Sequence, residues 1–72
     1  MKVSDEVLNL LKYGEKSNMV RARLMLELDV SDQTIMRWAR ENEKDGYLTR
    51  VTVIKLLAEE LGVAEDMILT EA

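Results

Sequence analysis

Between Met19 and Asn42 the chain reads as two short helical runs separated by only three residues, Asp29, Val30 and Ser31. So short a connection fixes the angle between the two helices and commits both to one core. In the first run, Val20, Leu24, Met25 and Leu28 recur at helical spacing, with Ser17 or Asn18 as the cap. The second run starts at Ser31, whose hydroxyl is suited to accept from the amide of Thr34, and Asp32 complements the helix dipole in its first turn. At 100° per residue, Ile35, Trp38 and Ala39 share an inward face, whereas Gln33, Met36, Arg37 and Arg40 point the other way. The spacing therefore predicts a core anchor on one side of this helix and a free polar surface on the other.

Composition limits what such a pair can be part of. At 72 residues the chain is expected to be a single domain, 1–72, with one modest core; Phe is absent and there is one Trp, so Leu, Val, Ile and Met must fill it. No Pro and three Gly favour helices. Neither Cys nor His occurs. That removes disulfides, thiolate or imidazole metal sites, cysteine nucleophiles and histidine bases, so neither an enzyme nor a cofactor or small-molecule substrate is expected. No apolar run approaches the ~20 residues of a membrane span, and a reducing, cytoplasmic setting with no membrane partner is the expectation.

The flanking segments extend the helical pattern. Ser4, Asp5 and Glu6 precede a first helix whose Val3, Val7, Leu10 and Leu11 share a face, and Gly14 is expected to end it in a left-handed conformation. Beyond the Asp45-Gly46 turn signal, Val51-Thr52-Val53-Ile54 is compatible with a strand, but Ile54, Leu57, Ala58 and Leu61 behind Thr49 as cap, closed by Gly62, favour a helix. Residues 63–69 leave room for a fifth, short helix that returns Met67, Ile68 or Leu69 to the core. The expected fold is thus all-α, a compact bundle of four to five helices. Met19, Ala22 and Leu26 form a second apolar row on their helix, which calls either for packing on two sides, the expected outcome, or for another subunit.

Two helices joined by a three-residue turn are the layout of a helix-turn-helix, whose second helix, here about 31–42, enters the DNA major groove. The net charge of −4 opposes nucleic-acid binding as an average, but it is uneven: residues 1–40 carry a net +1 and residues 41–72 a net −5. The segment centred on LELDVSDQTIMRW also resembles the small helix-turn-helix domains of bacterial and phage regulators, the lambda-repressor and Cro-like group, through Leu28, Val30, Ser31, Thr34, Ile35 and Trp38. Leu57, Ala58, Leu61, Gly62, Val63 and Leu69 extend the likeness over roughly residues 17–69. Asp29 departs from that family's usual turn glycine and Met25 from its preferred alanine.

The resemblance implies sequence-specific double-stranded DNA binding by a small transcriptional regulator, a repressor-like protein. Carried over, Ser31, Asp32, Gln33, Met36, Arg37 and Arg40 are the expected base contacts. Lys16, Ser17, Asn18, Arg21 and Arg23 are candidates for the phosphate backbone. A homodimer is expected, through Val53, Leu56 and the C-terminal segment or through Met19 and Leu26. Two alternatives remain open from sequence: a protein-interaction module of the same architecture, and a winged, excisionase-like DNA-binding protein in which residues 46–53 form the wing. The acidic pairs Glu59-Glu60 and Glu65-Asp66 read as solvated surface, not as a metal or catalytic site.

Overall fold

The computed structural model describes residues 1–71. The chain runs through β1 (Lys2–Val3), α1 (Asp5–Tyr13), α2 (Ser17–Leu28) and α3 (Asp32–Glu41), then a 3-10 turn (Tyr47–Thr49), α4 (Val51–Leu61), a second 3-10 turn (Glu65–Met67) and β2 (Leu69–Thr70). The fold is mainly helical, with four α-helices among the described residues, plus a two-stranded antiparallel sheet that the sequence does not predict. None of these helices is long and apolar enough to cross a membrane.

Local chemistry explains most of the helix ends. Ser4 and Ser31 cap α1 and α3 by accepting from the amides of Val7 and Thr34. Asp29 ends α2 and Asn42 ends α3 in the left-handed region, at φ 54° and 41°, conformations that Asp and Asn tolerate better than most side chains. Gly62 ends α4 at φ 69°. Three expectations are corrected. Gly14 is extended, and glycine suits it because a Cβ would stand 2.8 Å from the Leu10 carbonyl oxygen. Neither Ser17 nor Asn18 caps α2, which starts behind Lys16 without a side-chain cap. Thr49 likewise does not cap α4: it closes the preceding 3-10 turn, donating its hydroxyl to the Gly46 carbonyl at 2.6 Å.

The core gathers Val3, Val7, Leu8, Leu11, Val20, Leu24, Ile35, Ala39, Leu48, Val53, Leu56, Leu57 and Ile68. Relative to expectation, the buried face of α1 is Val7, Leu8 and Leu11, with Val3 contributed from the strand. In α4 the buried face is turned to Val53, Leu56 and Leu57, while Ile54, Ala58 and Leu61 are half-buried at its edge. Residues 46–53, the alternative wing, are a 3-10 turn and the start of α4 rather than strands. Residues 63–69 form no fifth α-helix: Leu69 and Thr70 must be extended to pair with Val3 and Lys2, and Ile68 alone of the three apolar candidates is fully buried.

Asn42 locks the strand to the helices. Its side-chain Oδ1 accepts from the Val3 amide at 3.1 Å and its Nδ2 donates to the Val3 carbonyl at 2.9 Å, so one amide serves as a second strand neighbour for β1. Next to it, the N-terminal ammonium lies 3.0 Å from Asp45 Oδ1 and, by hydrogen bond and charge, holds that carboxyl below its ordinary value. We predict that Asn42→Gly, which keeps the left-handed backbone but strands both Val3 polar groups, costs about 1–2 kcal/mol, or ~5–15 °C in thermal midpoint. An unchanged melting curve would show that the clamp contributes nothing.

Candidate nucleic-acid interface

Helix α3 stands on the core through Ile35 and Ala39. Its other side leaves Gln33, Arg37 and Arg40 exposed and Met36 half-buried. Ser31 is exposed as well, but its hydroxyl is engaged: it accepts from the Thr34 amide at 3.2 Å and lies 3.1 Å from the Thr34 hydroxyl. Arg37 keeps a loose contact with Glu41, 3.6 Å away on the next turn. No carboxylate among the described residues pairs with Arg40 or Lys16.

One guanidinium organises the start of this helix. Arg21 Nε donates to Asp32 Oδ1 at 2.8 Å, Nη1 to the carbonyls of Leu11 and Lys12 at 2.9 and 3.2 Å, and Nη2 to Asn18 Oδ1 at 3.0 Å. It therefore ties together the end of α1, the first turn of α2 and the first turn of α3. The Asp32 charge, which would otherwise repel a phosphate backbone, is thereby offset within the fold. Arg21 itself, its side chain 14% exposed and its donors occupied, serves as a clamp within the fold.

Two further backbone candidates are engaged within the fold. Ser17 is buried, and its amide donates to the Gly14 carbonyl. Arg23 turns away to α4, where Glu60 and Glu59 hold it, with Glu27 on its own helix nearby. Lys16 and Asn18 stay exposed, and the shared Arg21 places Asn18 beside the beginning of α3.

The structure adds residues that sequence patterns alone do not mark. Trp38, expected in the core, packs against its edge and is half-buried; its ring stacks on Tyr47 with centroids 4.7 Å apart and planes 16° off parallel. The Arg50 guanidinium covers Tyr47 at 4.6 Å from the ring centre. Arg37, Trp38, Tyr47 and Arg50 line one open cleft together with Leu28 and Val30, so α3's polar face continues into a cationic and aromatic ledge. The Tyr47/Arg50 spacing of three within a turn is the local signal for that pairing.

The chain matches no protein-family model, no curated protein and no solved structure. What the site can do is therefore read from its own chemistry. An exposed helix face carrying an amide and two guanidiniums, with Arg50 beside it, is suited to base edges and phosphates. The acids Glu59 and Glu60 lie on α4, engaged with Arg23.

Proposed function

We propose that this chain binds double-stranded DNA sequence-specifically, as a small transcriptional regulator, with α2 and α3 acting as a helix-turn-helix and α3 lying in the major groove. The supporting observation is the outward face of α3: Gln33, Arg37 and Arg40 are free of the core, and the Asp32 charge at the start of the helix is offset by Arg21. Gln33 is suited to adenine and Arg37 to guanine, each bidentately, while Met36 suits a thymine methyl. Lys16, Asn18 and Arg50, all exposed, are the phosphate contacts of this reading. In this reading Asp32 also reads a base. With Oδ1 held by Arg21, its second oxygen accepts from the N4 amine of a cytosine.

Selection from random duplexes at low salt tests the reading. The wild-type chain should enrich a defined motif, and Asp32→Asn, which removes the charge while keeping the shape, should lose the preference for cytosine at one position by ~5-fold or more. Failure to enrich any motif at high protein concentration would reject DNA recognition outright. Enrichment of the same motif by both proteins would remove Asp32 from the set of base contacts.

A further inference from the structure

The second apolar row of α2, Met19, Ala22 and Leu26, is exposed, so the two-sided packing expected from sequence does not occur within the chain; Val53 and Leu56 are core residues, at 1% and 6% exposure. Neither points to a particular ligand. The surroundings of the Trp38–Tyr47 stack do. Two clefts open on this stack, and both include Arg37. Glu41 and Glu43 line one of them. The other, of about 350 Å³, is lined by Leu28, Val30, Arg37, Trp38, Tyr47 and Arg50 and by no carboxylate; Asp29, between two of these residues in the chain, is not part of its wall. Its donors are idle. Among the described residues, the side chains of Arg37, Trp38, Tyr47 and Arg50 take part in no hydrogen bond. Arg50 pairs with no carboxylate among them either.

We infer that this carboxylate-free cleft is a binding site for a small aromatic carboxylate. Arg37 and Arg50 bring two positive charges to one cleft, with only the 3.6 Å contact of Arg37 to Glu41 to offset them, and a guanidinium matches a carboxylate through paired N–H donors. Leu28, Val30 and Trp38, all half-buried at the edge of the core, add an apolar surface that a bare inorganic anion cannot use and an aromatic ring can. The wall is assembled before a ligand arrives. Tyr47 is held by the Trp38 ring at 4.7 Å and the Arg50 guanidinium at 4.6 Å, which limits the ordering cost of binding. Volume sets the size of the occupant: about 350 Å³ lies at the low end of the ~300–1,000 Å³ of small-molecule sites, room for a fused ring pair. Six lining residues fall far short of the ~20–30 per side of a protein interface, so the occupant is a free small molecule and not a protein segment.

The inference does not depend on DNA recognition, and its test contains no DNA. The intact, isotope-labelled chain is titrated with β-naphthoate and followed by two-dimensional amide NMR, in which the one Trp gives a single indole N–H signal. For so open a cleft the expected dissociation constant is on the order of 1 mM, with saturable shifts at the Trp38 indole and at the amides of Val30, Tyr47 and Arg50. Neutral β-naphthamide, which keeps the rings, and acetate, which keeps the charge, should each bind at least ~10-fold more weakly. Arg50→Gln, at an exposed position where the fold is not at stake, should weaken naphthoate binding ~5-fold or more, leave naphthamide binding unchanged and keep the rest of the spectrum in place. Four results would each overturn the inference: naphthoate shifts that do not saturate or that centre elsewhere on the chain, naphthamide binding as tight as naphthoate, acetate binding as tight as naphthoate, or an Arg50→Gln chain that binds naphthoate like the wild type.

Discussion

Replacing Gln33 and Arg37 together by alanine should abolish selective DNA binding while leaving the protein folded. If each side chain makes one bidentate base contact worth about 1–3 kcal/mol, the pair is worth ~30-fold to ~10⁴-fold in affinity for the selected site. Neither residue touches the core, and the double substitution breaks only the 3.6 Å surface pair of Arg37 with Glu41, worth at most about 1 kcal/mol. The thermal midpoint should therefore move by only a few degrees. Anisotropy titrations on the selected duplex and on a scrambled one, at the same salt concentration, give the number. Selectivity that persists in the double variant would place recognition elsewhere, on the Tyr47 and Arg50 ledge first.

Arg21→Ala should behave in the opposite way, damaging the fold before it damages any surface. The substitution frees two carbonyls at the end of α1, releases Asn18 and leaves Asp32 without its counter-charge. Hydrogen bonds from a charged, largely buried donor contribute more than neutral surface ones, and their joint removal is expected to cost about 2–4 kcal/mol. For a domain of this size that is a drop of ~10–25 °C in midpoint, a large share of a total stability on the order of 4–11 kcal/mol. Arg21→Lys should recover less than half of it, because one ammonium cannot span three helices. If Arg21→Ala melted like the wild type, the clamp would be ornamental and Arg21 would again be a candidate phosphate ligand.

The helices and their boundaries were largely legible because their signals are local. Ser4, Ser31, Asp29 and Gly62 act within one turn of their own positions, and the alternation of buried and free residues along α3 follows from its 3.6-residue period. The sheet was not legible: Lys2-Val3 and Leu69-Thr70 are too short to show a period of two, and each is a strand only because the other is there. The face of α4 was displaced for a related reason. Val53, Leu56 and Leu57 compete with Ile54, Leu57, Ala58 and Leu61 as regular stripes, and the elements packed on α4, namely α2 and the two 3-10 turns, decide between them.

For the candidate site, the outward face of α3 could be read from sequence, but the availability of its cations could not. Arg21, Arg23, Arg37 and Arg40 look alike in a chain of letters. Their long side chains reach ~6 Å or more, so whether each is free depends on which carbonyl or carboxylate the fold brings within that reach. Arg21 meets the end of α1 and Arg23 meets Glu60, contacts 9 to 37 residues apart in sequence. Trp38 is an intermediate case: periodicity puts it on the inner face, where it does pack against the core, but its cover by Tyr47 from the following turn could not be read.

The pairing of β1 with β2, secured by Asn42, joins the two extremes of the chain, and that has a kinetic meaning. Contacts between such distant residues carry the largest loop-closure entropy, so they form after the helices have collapsed on one another. The strands then act as a latch closed last and opened first. In a denaturant chevron, Asn42→Gly should steepen nothing and slow nothing on the folding arm, but raise the unfolding rate by ~5- to 30-fold, the whole of its effect of about 1–2 kcal/mol appearing in how long the native state lasts.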